Sequence, residues 1–455
     1  MKLFAKNLIP VILSALCLQV PICRAYSLLT HEQLIDLTWQ DSIVPLVLSR
    51  YPGLTPAQLD RARSYAYGGC VIQDIGYYPF GDHSFSDLTH YVRSGDFVVN
   101  LFRNANNADE LAFAVGALSH YIGDSYGHSE ATNRAVPVEF PKLKARFGPI
   151  VNYAEGQKQH VQTEFGFDID EIAHRRFAPL RYLRQIGLNV PVHQLGLAFY
   201  RTYGLPDFAD HRSHRFKVWV YRFAVRNFIP HVAYAITLRR SKHEPAETNT
   251  PEAIEIDNEA AAAAALGNWD SYRTGKPSFE TRLIEVLFFI LPKVGPLSLA
   301  NVKGPTTSTE ADYMHSVSQS AAAMRYVLRG FTPSASRIAL PHGAPTLAQP
   351  FGPNDPLHPL PNRDLDTGNV VKPGGYSLTD STYASLLHRL AQNPAQPIPP
   401  GIKRDIEAYY SDPNAPISTK KNAAHWAQVQ ADLKTLATIP TSTEPEPFPT
   451  YDDSK

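Results

Sequence analysis

Cysteine is scarce. Cys17, Cys23 and Cys70 are the full set, and the first two lie in a leader-like stretch. The chain after that stretch keeps one cysteine and can form no disulfide within itself, so its stability must come from a core or from bound metal. Net charge is absent: 43 Lys and Arg balance 43 Asp and Glu, which removes the global basic excess expected of a nucleic-acid binder. Runs of alternating apolar and polar residues are few, which argues against a sheet fold. No apolar run is long enough to span a bilayer. The nearest, residues 283–297, is broken by Pro292 and Pro296. There is no nucleophile elbow and no internal repeat.

Helix signals are what the chain has in quantity. Thr30 with Gln33, and Thr55-Pro56 ahead of a stop at Gly68-Gly69, mark helix ends. The segment from Asp109 to His128 is almost wholly apolar before a polar end, as in a helix buried on most sides. Residues 157–186 and 214–241 read as two further long helices, the second kinked at Pro230. The expectation is an all-α, multi-helix domain.

The texture then changes. Half of the 38 prolines lie after residue 330. Residues 331–438 therefore read as a Pro-rich, partly irregular extension with short helices near 377–392 and 419–437, and 439–455 as a disordered tail. Residues 1–25 carry Lys2 and Lys6, an apolar run and Ala25 at a cleavage point, the form of a signal peptide. A secreted or periplasmic location follows as an expectation, with the mature chain beginning at Tyr26. The remaining divisions are 26–245 for the main domain and 246–330 for additional helices.

The chemistry is concentrated in the first part of that main domain. HYIGDSYGH, residues 120–128, spaces His120, Asp124 and His128 four and four. On a helix these share one face, and they are zinc-ligand types. Its glycines, Gly123 and Gly127, give room for another backbone or a metal-bridging group. His160 and Glu164 repeat the four-residue spacing. Upstream lie Asp74, His83 and His90, and His31 stands at a helix start. A plain reading remains beside this one: solvated helix ends, and a capping role for Asp74.

In order, these residues resemble the ligand series of the zinc-dependent phospholipase C family, whose all-helical fold is shared with the S1/P1-type nucleases. The likeness rests on THEQLI, GDHSFSDL, LSHYIGDSYGH and QHVQTE, over roughly residues 26–240. It implies two to three Zn2+ ions. One would take Asp74, His83, His120 and Asp124, with His90 competing for the place of His83. A second would take His128, His160 and Glu164. A third would take His31, the bridging Asp124, and the amine and carbonyl of Tyr26. Asp74 is also implied as a general base. Clustered zinc suits phosphate-ester hydrolysis by metal-activated water.

A phospholipase C acting on phospholipid headgroups is the resulting expectation. The alternatives are a zinc nuclease or other phosphodiesterase on the same fold, and a non-catalytic helical binding protein with structural zinc. From Arg175 to Lys242, 13 basic residues face 2 acidic ones, with aromatics between. That density suits an anionic membrane surface or a polynucleotide, although solvated helix faces would also produce it.

Overall fold

The computed structural model describes residues 27–78, 81–206, 211–240, 248–274, 302, 304–332, 358–411 and 422–442. Within them the chain is all-α, with two isolated β-bridges. The helices run α1 Leu28–Thr38, α2 Val44–Arg50, α3 Pro56–Gly69, α4 His83–Tyr91, α5 Ser94–Arg103 and α6 Ala108–Tyr126. They continue as α7 Asn133–Glu139, α8 Pro141–Phe147, α9 Tyr153–Ala173, α10 Leu180–Ile186, α11 Val192–Tyr203, α12 His211–Phe223 and α13 Ile229–Arg240. Then come α14 Pro251–Leu266, α15 Trp269–Arg273, α16 Thr307–Phe331, α17 Ser377–Ala391, α18 Pro400–Tyr409 and α19 Ala423–Thr438. No described helix is long and apolar enough to cross a membrane.

Helix α6 is the axis of the molecule. Asn107 caps it by accepting from Glu110 N, and every residue from Leu111 to Ser125 is buried. Helix α3, opened by the reciprocal Thr55–Gln58 cap, lies directly on it. Two glycines set that approach. A Cβ on Gly69 would come within 2.1 Å of the Phe113 carbonyl oxygen, and one on Gly116 within 2.2 Å of the Ala66 carbonyl oxygen. Both obstacles are backbone and cannot rotate away. Gly116→Ala should therefore force the helices apart and lower unfolding stability by about 3 kcal/mol. Chemical denaturation of the zinc-loaded protein measures this, and an unchanged midpoint would contradict it.

The same hydrophobic core takes residues from both ends of the chain. Leu28, Leu118 and Tyr121 belong to one cluster with Leu386, Ile402, Leu436 and Ile439. Among its described residues the Pro-rich region thus contributes three helices, one of which, α18, the sequence reading lacked. The described prolines of this region fall in the connections and at a helix start, where a missing N–H is harmless.

Four other expectations change. Thr30 does not cap α1. The helix starts at Leu28, and Asp168 of α9 accepts from Leu29 N at 3.1 Å, Thr30 N at 3.2 Å and Thr30 Oγ1 at 2.8 Å. A carboxylate distant in sequence takes the capping role. The long helix expected over 157–186 is two, parted where Arg175 adopts φ 63° and Pro179 precedes α10. The Pro230 break is a five-residue π segment, Ala224–Phe228, immediately before α13. The tail expected from residue 439 begins later: Ile439 is buried in the core, and Ile398 N donates to Pro440 O at 3.0 Å and Ser442 N to Ile398 O at 2.8 Å. The leader, Tyr26, the run 283–297 and residues 443–455 lie outside the described residues.

Candidate metal centre

Four helices and two short segments bring their chemistry-bearing side chains to one buried place. His31 comes from α1, His90 from α4, His120 and Asp124 from α6, and His160 and Glu164 from α9. Asp74 comes from the short 3-10 stretch Ile72–Tyr77, and His128 from a π segment, Gly127–Thr132, that continues α6. All these residues are buried.

Asp124 is the hinge of the arrangement. Its Oδ1 lies 3.2 Å from His31 Nε2. Its Oδ2 lies 3.0 Å from His120 Nε2 and 3.5 Å from His90 Nε2. His90 Nε2 is also 3.4 Å from Asp74 Oδ1 and 3.3 Å from His120 Nε2. Ligand atoms within reach of one ion therefore form two adjoining groups, His31–His120–Asp124 and Asp74–His90–His120. The close fit of α1 on α6 depends on Gly123, where a Cβ would stand 2.9 Å from Leu34 Cδ1 and 3.2 Å from His31 Nδ1.

A third group is His128–His160–Glu164. The sequence spacing placed His128 in one stripe with His120 and Asp124. The turn that carries it is π, with i→i+5 bonding, and such widened turns are frequent at functional sites. It brings His128 beside His160, with ring centroids 5.8 Å apart.

Three of the histidines are aimed by main-chain carbonyls. His120 Nδ1 bonds Cys70 O at 3.0 Å, His90 Nδ1 bonds Ser86 O at 2.7 Å, and His160 Nε2 bonds Val151 O at 2.7 Å. A carbonyl accepts, so each bonded nitrogen carries the proton and the other ring nitrogen faces inward. Metal-ligating histidines are held in this way.

The electrostatics fit a cation. Burial pushes the Glu164 carboxyl well above the usual carboxylate range, and the charges of Asp124, Asp74 and Asp366 push the same way. Neither Glu164 oxygen accepts a hydrogen bond, and neither nitrogen of His128 has a partner. Leaving such groups buried and unpaired is costly, and a divalent ion answers both. Burial, then the neighbouring His128, lowers His160 to about 3. Burial also lowers His128, and with His120 lowers His31. All three are thus neutral, the form that binds metal. His90 goes the other way. Burial opposes its charge, but hydrogen bonds to Asp124 and Asp74 and their charges raise it to about 10. Asp124 is the other end of that interaction. Burial would raise it, yet His120 above all, with His31 and His90, holds it well below the carboxylate range.

The choice of His83 is corrected. It is exposed at the first residue of α4, its ring 5.7 Å from Tyr77, and belongs to no ligand group. His90, seven residues on, is about 10 Å further along the helix axis, at the buried end that meets Asp74. Asp366 escaped the sequence reading. It lies in RDLDTGN of the Pro-rich extension, fully buried, with Oδ1 3.9 Å from His128 Nε2. The acidic pair Asp364 and Asp366 after Arg363 was its only sequence trace.

No curated protein and no solved structure matches the chain. A family model does, over residues 30–211, which hold all of these side chains except Asp366. That model is the one for zinc dependent phospholipase C, so the segment built around this all-helical centre, residues 30–211, is similar to that family.

Proposed function

We propose that the chain is a zinc-dependent phosphodiester hydrolase that cuts phospholipid headgroups, working as an exported enzyme after loss of residues 1–25. The observation that carries it is Asp124, whose Oδ1 faces His31 and whose Oδ2 faces His120 and His90, beside histidines oriented by carbonyls. Paired metal groups of this kind suit a phosphate diester rather than a structural role, since a structural zinc is normally closed by four ligands of its own.

The residues divide the work. His31, Asp74, His90, His120 and Asp124 would hold two ions that share Asp124, and His128, His160 and Glu164 a further one. Bound zinc supplies an activated water and neutralises phosphate charge. Asp74, 3.4 Å from His90 Nε2 within this group, is the carboxylate assigned to general-base duty. Asp124 fixes the spacing of the two groups it joins. Cys70 is buried and its thiol pushed well up by burial, so it does not serve as a nucleophile.

A second observation favours lipid over nucleic acid as substrate. On α12, Phe216 and Trp219 are about half exposed, their rings 6.1 Å apart, and Trp219 stacks at 6.0 Å on Phe223. An exposed aromatic strip beside Lys217 and Arg222 suits an anionic lipid surface.

Metal analysis and substrate panels test the reading. Purified protein should hold two to three zinc ions, hydrolyse phosphatidylcholine and lose turnover to chelators. Trp219→Ala should lower turnover on vesicles by about tenfold while a soluble phosphodiester is cut at the wild-type rate. Turnover of single-stranded DNA but not of phosphatidylcholine would move the assignment to a nuclease. Absence of any zinc-dependent turnover would leave a binding protein. Amino-terminal sequencing of exported material checks the leader.

A further inference from the structure

We propose that Asp366, which the extension supplies from outside the matched domain, is a metal ligand. Its Oδ1 completes the coordination of the ion held by His128, His160 and Glu164. The inference rests on the metal reading above and goes beyond it, because it makes the loop after residue 358 part of the metal centre.

The two oxygens of Asp366 are treated differently by the fold. Oδ2 accepts from Tyr91 Oη at 2.8 Å and from Tyr376 Oη at 2.6 Å. Oδ1 accepts nothing, though it is buried, and it lies 3.9 Å from His128 Nε2, which has no partner either. A carboxylate buried for structure alone has both oxygens satisfied. One oxygen fixed by hydroxyls with the other left bare is how a ligating carboxylate is held. The separation from His128 is right as well. Two ligands of one zinc, each about 2.0–2.2 Å from it, stand no more than about 4.4 Å apart.

The supports of Asp366 are the ligand-bearing elements. Tyr91 follows His90 on α4. Ala154 N, at the start of the helix that carries His160 and Glu164, donates to Tyr376 Oη at 3.2 Å. Leu365 N donates to His90 O at 3.1 Å, and Asn133 Nδ2 to Asp366 O at 2.9 Å. Tyr121, next to His120, donates to Pro361 O at 2.6 Å. Gly368, at φ +71°, passes so close to α6 that a Cβ would stand 2.3 Å from Ser125 O. The loop is therefore bonded to both walls of the centre, and its carboxylate is placed by them.

The chemistry leaves a place for such a group. Zinc usually takes four ligands, and His128, His160 and Glu164 are three. With Asp366 as the fourth, this ion is enclosed by protein, and water is left to the groups joined by Asp124.

The test uses the full chain loaded with zinc and titrated with competing chelators. Asp366→Asn should weaken one zinc by about tenfold or more and leave the others unchanged. With cobalt in place of zinc, its visible spectrum should change in band position or intensity. Tyr376→Phe, which keeps the carboxylate, should have a smaller effect. Wild-type affinity and an unaltered cobalt spectrum in a folded Asp366→Asn would overturn the proposal. Should that variant not fold, a crystal structure of the zinc-loaded wild type decides. An ion about 2.2 Å from Oδ1 supports the assignment, and Oδ1 bonded only to water or to protein donors removes it. A wild type that binds no zinc sinks the metal reading and this inference together, whereas zinc binding indifferent to residue 366 sinks only the inference.

Discussion

Asp124→Asn is expected to disable the centre while leaving the helix in place. The change is nearly isosteric, and the surrounding α6 is buried apolar packing that does not depend on the carboxylate. What is lost is a negative charge whose two oxygens serve two ligand groups, His31 on one side and His120 with His90 on the other. Cations held close together repel, and a shared anion offsets that repulsion at both. Zinc content should therefore fall by more than one ion per chain. Phosphodiester turnover should fall on the order of 10³-fold, about 4 kcal/mol of transition-state stabilisation. His128→Ala removes a ligand from one group only and should cost less. Metal analysis, turnover and circular dichroism on both variants measure the contrast. Near-normal turnover and full metal in Asp124→Asn would end the bridging role.

How far this centre was legible in the sequence depends on how local each contact is. His120 with Asp124, and His160 with Glu164, are four-residue pairs on single helices, so spacing alone placed them. The glycine at 123 also had a readable purpose, the close approach of another element, and His31 proves to be what approaches. His128 was readable as a residue but not as a member of its group, because the turn at Gly127 widens to π and nothing in the residue types announces that. Thr30 was misread because a cap from Asp168, 138 residues away, replaced the local one. Asp366 was the least legible. Its position depends on the hydroxyls of Tyr91, Tyr121 and Tyr376, the His90 carbonyl and the Asn133 amide, and a Pro-rich texture hides a loop that the core holds firmly.

The pair His83 and His90 gives the second large effect. Family likeness favoured His83, since DHSFSD follows Asp74 at short range, yet the fold leaves His83 exposed and seats His90 between Asp74 and Asp124. His90→Ala should lose one zinc and most turnover, and His83→Ala neither. Chelated protein adds an independent readout. Without metal, His90 is the cation between two buried carboxylates, and its removal leaves them uncompensated, at a cost of about 3–5 kcal/mol. The His90–Asp124 contact enters both the raised His90 and the lowered Asp124 and counts once; the rest of the Asp124 lowering comes first from His120 and then from His31. The sign follows from the folded state holding the His90 proton more tightly than the unfolded chain. Its stabilisation is complete below the unfolded value of 6.5 and is lost as pH rises through about 10. Denaturation of the chelated wild type and His90→Ala should therefore differ most below pH 6.5 and converge towards pH 10. A gap that widens with pH, or zinc lost from His83→Ala and retained in His90→Ala, would return the ligand's place to His83.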